Sequence, residues 1–186
     1  MSKHSDKNTS SVGLGGWTRS HRDILKFFFV FILVLGSLSF ILERDATQQS
    51  FVTPHLSHVA SLCGATMKLI GTECEVDGAS ISSGRFSVQL IKGCESIYAT
   101  AMLWAAMLAF PATWKQKVIG MISGAVILFL INIVRVITMF YIGTYFPSLF
   151  DMVHIYAWQA LFILITLAVW LVWAAKVSPG KAKVGL

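Results

Sequence analysis

Charged residues are scarce in this sequence. Asp, Glu, Lys and Arg make up 13% of its 186 residues and hydrophobic residues make up 55%, whereas soluble domains carry roughly 25% charged residues. A soluble domain is therefore excluded, and an integral membrane protein is predicted. The formal net charge of +6 does not indicate a nucleic-acid partner, because Lys and Arg collect on the cytoplasmic side of membrane proteins.

The sequence also lacks the motifs of several enzyme classes. It contains no Gly-x-Ser-x-Gly, no His-Glu-x-x-His and no Cys-x-x-Cys, which argues against serine hydrolysis, zinc hydrolysis and dithiol redox chemistry. Neither a metal nor a cofactor is predicted. The three cysteines are Cys63, Cys74 and Cys94. An oxidising exterior would favour a disulfide between Cys63 and Cys74 and leave Cys94 as a free thiol.

Four apolar stretches are long enough, or nearly so, to cross a bilayer, which takes about 20 residues in a helix. They cover residues 24–42, 94–112, 118–141 and 154–175. The first lacks an Ala-x-Ala cleavage site and is interpreted as an uncleaved anchor. The predicted fold is therefore an all-α integral membrane protein with four transmembrane helices.

The distribution of charge predicts the orientation of these helices. Basic residues occupy the tails 1–23 and 176–186 and the loop 113–117, whereas acidic residues concentrate in the segment 43–93. The positive-inside rule places both termini in the cytoplasm and the segment 43–93 outside. Within that outer segment, helical spacing over 54–71 predicts an amphipathic surface helix. Alternation over 73–94 predicts a β-hairpin or meander.

Three residues near the predicted outer surface could carry chemistry. Cys94 begins the second helix, whose amino end favours the thiolate, although a cysteine is also a small buried hydrophobe. Arg135 lies inside the third helix, where an arginine is costly and suggests a functional site, unless it snorkels to the surface. His154 opens the fourth helix, where it could also be an interfacial anchor. Asn132 lies three residues before Arg135 and is predicted to support it. Asp151 lies three residues before His154 and is predicted to orient its imidazole.

Helix geometry predicts that the three residues meet. Cys94 stands about 24 Å from the cytoplasmic end of its helix, and Arg135 stands about 25 Å from the cytoplasmic end of the next. His154 begins the fourth helix at the outer surface. Three such groups at one depth suit acyl transfer. The thiolate would attack a peptide carbonyl, the cation would stabilise the oxyanion, and the histidine would give a proton to the leaving amine.

The chain resembles the exosortase/archaeosortase family of polytopic transpeptidases, and most of all its short exosortase H branch. The resemblance covers residues 87–173 and is carried by three stretches: GCESIYATAMLWAAMLAFP, NIVRVITMFYIG and LFDMVHIYAWQALF. In that family a Cys, an Arg and a His stand at the outer ends of successive helices. The resemblance implies that Cys94 is the nucleophile and that Arg135 and His154 complete the site.

The resemblance also implies a substrate class and a location. Family substrates are secreted, membrane-anchored precursors whose carboxy-terminal tail combines a recognition motif, one transmembrane helix and a basic cluster. For the exosortase H branch the implied motif is of the IPTLxxWG type. The implied location is the bacterial inner membrane, in contact with the lipid bilayer, with the active site facing the periplasm or exterior and no nucleic-acid partner.

Two other functions remain open at the level of the sequence. A four-helix thiol oxidoreductase would need two outer cysteine pairs, which three cysteines without Cys-x-x-Cys do not supply. A transporter or assembly subunit without enzymatic activity would use Arg135 as an ion or substrate contact. In that case Cys94 would be dispensable.

Overall fold

The computed structural model describes residues 14–84, 86–91 and 96–178, with side chains described from Arg22 onward. The α-helices of this part of the chain are α1 Leu14–Leu42, α2 Asp45–Thr47, α3 Thr53–Leu69, α4 Ile97–Ala109, α5 Trp114–Tyr145, α6 Phe150–Met152 and α7 Trp158–Val177. Short π-helical segments occupy Gln48–Val52 and Val153–Ala157, and a 3-10 helix occupies Pro147–Leu149. The strands are β1 Glu75–Asp77, β2 Ser80–Ser83 and β3 Phe86–Gln89.

Three helical segments of the described residues are long and apolar enough to cross a membrane: Arg22–Leu42, Trp114–Tyr145 and Pro147–Val177. They include three of the four predicted spans: the first begins two residues earlier than predicted, and the other two extend beyond both predicted ends. The chain is therefore a multi-pass membrane protein. The orientation of its termini remains a prediction.

The second predicted span, 94–112, is shorter in the structure. Helix α4 has 13 residues, about 20 Å of helix, whereas a hydrocarbon core is roughly 30 Å thick. The helix stops because Phe110 adopts an extended conformation, as expected for the residue that precedes a proline. Helix α4 would need its flanking residues to complete a crossing, and the count of four spans therefore stays a prediction.

Helix α4 is the central helix of the bundle, in contact with α1, α5 and α7. Its Leu103 and Met107 pack with Leu128 of α5 and Phe162 of α7 in one apolar cluster. The Trp104 indole N–H donates to the Met121 carbonyl at 3.0 Å, which ties α4 to α5. These contacts bury the sides of the helices that face one another and leave large apolar side chains of α1, α5 and α7 on the outside, as expected for a bundle surrounded by lipid.

The segment between α1 and α4 forms the predicted helix and a small antiparallel sheet. The strand order is β1-β2-β3, so the chain makes a three-stranded meander and not a single hairpin. The helix packs differently from the prediction of a surface helix in contact with lipid. Its apolar residues Val59, Cys63 and Met67 are fully buried in a cluster shared with the sheet and with α5, because those elements cover its apolar face.

One close contact fixes the sheet on α5. A methyl group at Gly143 would overlap the ring of Phe86, the first residue of β3, so the absence of a side chain lets the ring rest on the helix. The same ring meets Phe140 edge-on, with 6.1 Å between centroids. Strand β3 is therefore held beside the carboxy-terminal half of α5, the half that carries Arg135.

Candidate active site

Arg135 is buried in the carboxy-terminal half of α5. For a helix that starts at the inner surface, it lies about 32 Å from Trp114, near the far side of a hydrocarbon core roughly 30 Å thick. Its guanidinium carbon lies 5.8 Å from the ring centroid of Phe162 on α7, within the range of a cation–π interaction. No carboxylate among the described residues forms an ion pair with it. The guanidinium is therefore positioned by packing, and its charge is not neutralised by a described acidic side chain.

His154 lies in the π-helical segment Val153–Ala157, immediately before α7. Such π-helical turns are rare and are found frequently at functional sites. The imidazole is partly buried and packs on the ring of Phe150, with 5.7 Å between centroids. It is also close enough to Arg135 and Asp151 for their charges to act on it. The structure therefore places the His154 imidazole within electrostatic range of Arg135.

Both residues line one cavity of about 300 Å³. Its remaining wall comes from Phe150, from Val136 and Met139 of α5, and from the stretch Phe86–Ile91, which includes β3. A cation, an imidazole and the edge of a β-strand thus surround a single mostly apolar space. Such a space, with a few convergent polar groups, is the usual form of a ligand site.

The predicted nucleophile, Cys94, lies outside the described residues. On one side of it the described chain reaches the cavity wall at Ile91. On the other side the chain resumes at the buried Ser96, which caps α4. The described chain thus leaves the cavity wall at Ile91, three residues before Cys94.

Asn132 lies one helical turn before Arg135, and its side chain is 0% exposed. Its amide nitrogen and its amide oxygen both lack a hydrogen-bond partner within the described part of the chain. A buried polar group without a partner costs about 1–3 kcal/mol, so such groups need a functional or structural reason. Asp151, the other predicted supporting residue, is exposed in α6.

Replacement of Asn132 tests whether its unpaired buried amide has a role in the activity of the site. In Asn132→Leu we expect the midpoint of thermal unfolding to stay the same or to rise, because an unsatisfied buried amide is removed. Activity of the site should fall about tenfold, because leucine cannot make the hydrogen bond of roughly 1.4 kcal/mol that the amide is predicted to make to bound substrate. Unfolding of the detergent-purified protein and turnover by the same sample provide the two readouts. A fall in the midpoint together with normal turnover would show that Asn132 has a packing role only.

The structure corrects the predicted disulfide, because Cys63 and Cys74 are both free and buried. The Cys63 sulfur faces the Ile133 carbonyl of α5 at 4.0 Å, whereas the Cys74 sulfur faces the Gly64 carbonyl at 3.7 Å. Burial raises the pKa of the Cys63 thiol to about 12, which makes it a poor nucleophile. The two thiols therefore contact different backbone carbonyls and are not joined to each other.

One neighbour of Arg135 and one wall of the cavity were not predicted from the sequence. Phe162, beneath the Arg135 guanidinium, follows His154 by eight residues. That spacing keeps two residues within one broad stripe of a helix, and this periodicity could have indicated it. The wall formed by β3 could have been suspected from the alternation in FSVQL. Alternation predicts a strand, but it does not indicate which helix the strand packs against.

A comparison with family models identifies the family of the chain. The family model described as transmembrane exosortase (Exosortase_EpsH) matches residues 10–171. The chain belongs to the transmembrane exosortase family. The family suggested by the sequence is thereby confirmed, and the match includes the positions of Cys94, Arg135 and His154. Neither the curated proteins nor the solved structures contain a significant match to this exosortase.

Proposed function

We propose that this exosortase is a membrane-embedded cysteine transpeptidase or protease that removes the carboxy-terminal tails of anchored precursor proteins. The observation that carries the proposal is the cavity shared by Arg135 and His154, which the chain reaches at Ile91 just before Cys94. Family membership supports the same assignment. It makes a cysteine-based transfer reaction the expected chemistry.

In the proposed reaction, the Cys94 thiolate attacks the carbonyl carbon of the scissile peptide bond. Negative charge develops on the carbonyl oxygen, and the Arg135 guanidinium stabilises it, since an arginine stays protonated even where water is scarce. His154 donates a proton to the departing amine as the C–N bond breaks. The precursor remains attached to Cys94 as a thioester, which water or an amine acceptor then resolves.

The proposed substrate carries a recognition motif, a transmembrane helix and a basic cluster in that order. Its basic cluster would stay on the cytoplasmic side, in agreement with the positive-inside rule, and its motif would emerge at the outer leaflet. We place the cavity at the same outer leaflet of the bacterial inner membrane, with both termini of the chain in the cytoplasm. An enzyme with this orientation would encounter the motif where it leaves the lipid.

A co-expression assay tests this function. The substrate is a secreted reporter that ends in a motif of the IPTLxxWG type, an apolar helix, a basic cluster and an epitope tag. Cells that produce the exosortase should separate the tag from the reporter, whereas cells that lack it should not. A reporter with a scrambled motif is the matched control. Failure to cut any tail-bearing precursor from the same genome would contradict the proposal.

A further inference from the structure

Strand β3 has one edge without a partner strand. The sheet order is β1-β2-β3, so β3 pairs with β2 on one side only, and no other described strand pairs with it. Open edges present a row of backbone donors and acceptors that can pair with another chain, and proteins usually cover or blunt them. The free edge of β3 therefore needs an explanation.

The hydrogen-bonding pattern identifies the groups on that edge. Leu90 donates its N–H to the Ala79 carbonyl at 2.8 Å, which makes Ala79 and Leu90 a hydrogen-bonded pair. Hydrogen-bonded and non-hydrogen-bonded pairs alternate along an antiparallel ladder, and the register continues through Ser80↔Gln89 to Ser83↔Phe86. Gln89 and Ser87 are therefore the residues whose N–H and C=O groups point away from β2.

This edge belongs to the cavity of the proposed active site. Every residue from Phe86 to Ile91 lines the cavity that also holds Arg135 and His154. The strand is held in place, because its Phe86 ring packs on α5 at Gly143. A fixed row of backbone groups thus runs beside the guanidinium and the imidazole.

We propose that the precursor's recognition motif binds in extended conformation as a fourth strand on the free edge of β3. This inference rests on the proposed function and states how the substrate is held. Strand addition gives affinity through backbone hydrogen bonds and leaves alternate side chains free for specificity. It also satisfies the peptide groups of a segment that leaves water for a mostly apolar cavity, where an unpaired group is costly.

The position of the edge favours a precursor over a second copy of this chain. A peptide on Ser87 and Gln89 would lie along the wall that leads through Ile91 to the segment of Cys94. Its scissile carbonyl would then face the cavity that holds Arg135. A second copy paired at the same edge would fill the cavity and block the residues that line it.

A matched pair of substitutions at Ser87 tests the backbone contact. Ser87→Ala removes the hydroxyl and keeps the N–H, whereas Ser87→Pro also removes the outward-facing N–H. Proline is tolerated on edge strands where its N–H does not serve the ladder. In the tail-removal assay, we expect Ser87→Pro to be about tenfold slower than Ser87→Ala, as for the loss of one hydrogen bond. Equal rates for the two variants would overturn the proposal.

Photocrosslinking provides a second test that keeps the ladder intact. A benzophenone amino acid replaces the exposed Gln89 in full-length protein that also carries Cys94→Ala, and a matched probe replaces the exposed Glu75 of β1. We expect the tail-bearing reporter to crosslink at position 89 and not at position 75. Crosslinks from position 89 to a second copy, or equal capture at both positions, would overturn the proposal. Absence of tail removal by the wild-type chain would instead contradict the proposed function.

Discussion

Cys94→Ala is expected to abolish tail removal and to cause uncut precursors to accumulate in the membrane. The substitution removes the only group in the proposed mechanism that can form the thioester. Immunoblots of the reporter measure the effect, and the membrane abundance of the variant should stay near that of the wild type. Normal maturation by Cys94→Ala, in cells without a second exosortase, would contradict the cysteine mechanism.

Two further cysteine variants separate chemistry from folding. Cys94→Ser should fail almost as completely, because a hydroxyl has no comparable population of the ionised form. Cys74→Ala is the matched control: it removes a buried thiol whose contact with the Gly64 carbonyl, at 3.7 Å, is a weak one. Processing by Cys74→Ala should remain within a few-fold of the wild type, because that thiol has no role in the reaction.

Arg135→Lys is expected to lower the rate of tail removal by about 10²–10³, the loss seen when one oxyanion-stabilising donor is removed. Lysine keeps the positive charge but lacks the planar fork of donors. The guanidinium lies 5.8 Å from the ring centroid of Phe162, and the shorter lysine side chain would place its charge elsewhere. A time course of tail removal measures the rate.

Arg44→Lys is the matched control for this substitution. Arg44 is exposed, and its guanidinium lies 4.5 Å from the ring centroid of Phe40, so it shares the cation–π contact of Arg135 without its burial. We expect Arg44→Lys to process the precursor at nearly the normal rate. Near-normal processing by Arg135→Lys as well would show that Arg135 has a structural role and does not stabilise the oxyanion.

The apolar segments could be predicted from the sequence, and so could the similar level of Arg135 and His154 along neighbouring helices. Long apolar runs determine where helices can cross, and a rise of about 1.5 Å per residue converts sequence position into depth. This calculation predicted that Arg135 and His154 lie at the same depth. The structure adds that the two side chains line the same cavity. The depth alone could not show this, since it does not determine which helix faces are in contact.

The segment between α1 and α4 was predicted less completely. Helical spacing correctly indicated α3, but periodicity does not reveal whether an apolar face meets lipid or protein, and here α5 and the sheet cover it. The disulfide was inferred from compartment alone, whereas a bridge depends on the direction of both side chains. Cys63 points to α5 and Cys74 points to a carbonyl of α3. The free edge of β3 depends on strand order, which local alternation does not specify.

The covalent intermediate tests the central claim most directly. Full-length exosortase is mixed with the tail-bearing reporter in lipid vesicles, quenched with acid during turnover, digested and analysed by mass spectrometry. The mechanism predicts a reporter fragment joined to Cys94 through a thioester that neutral hydroxylamine releases and that Cys94→Ala does not form. Cleavage of the reporter without any adduct on Cys94, at an unchanged rate in Cys94→Ala, would contradict it.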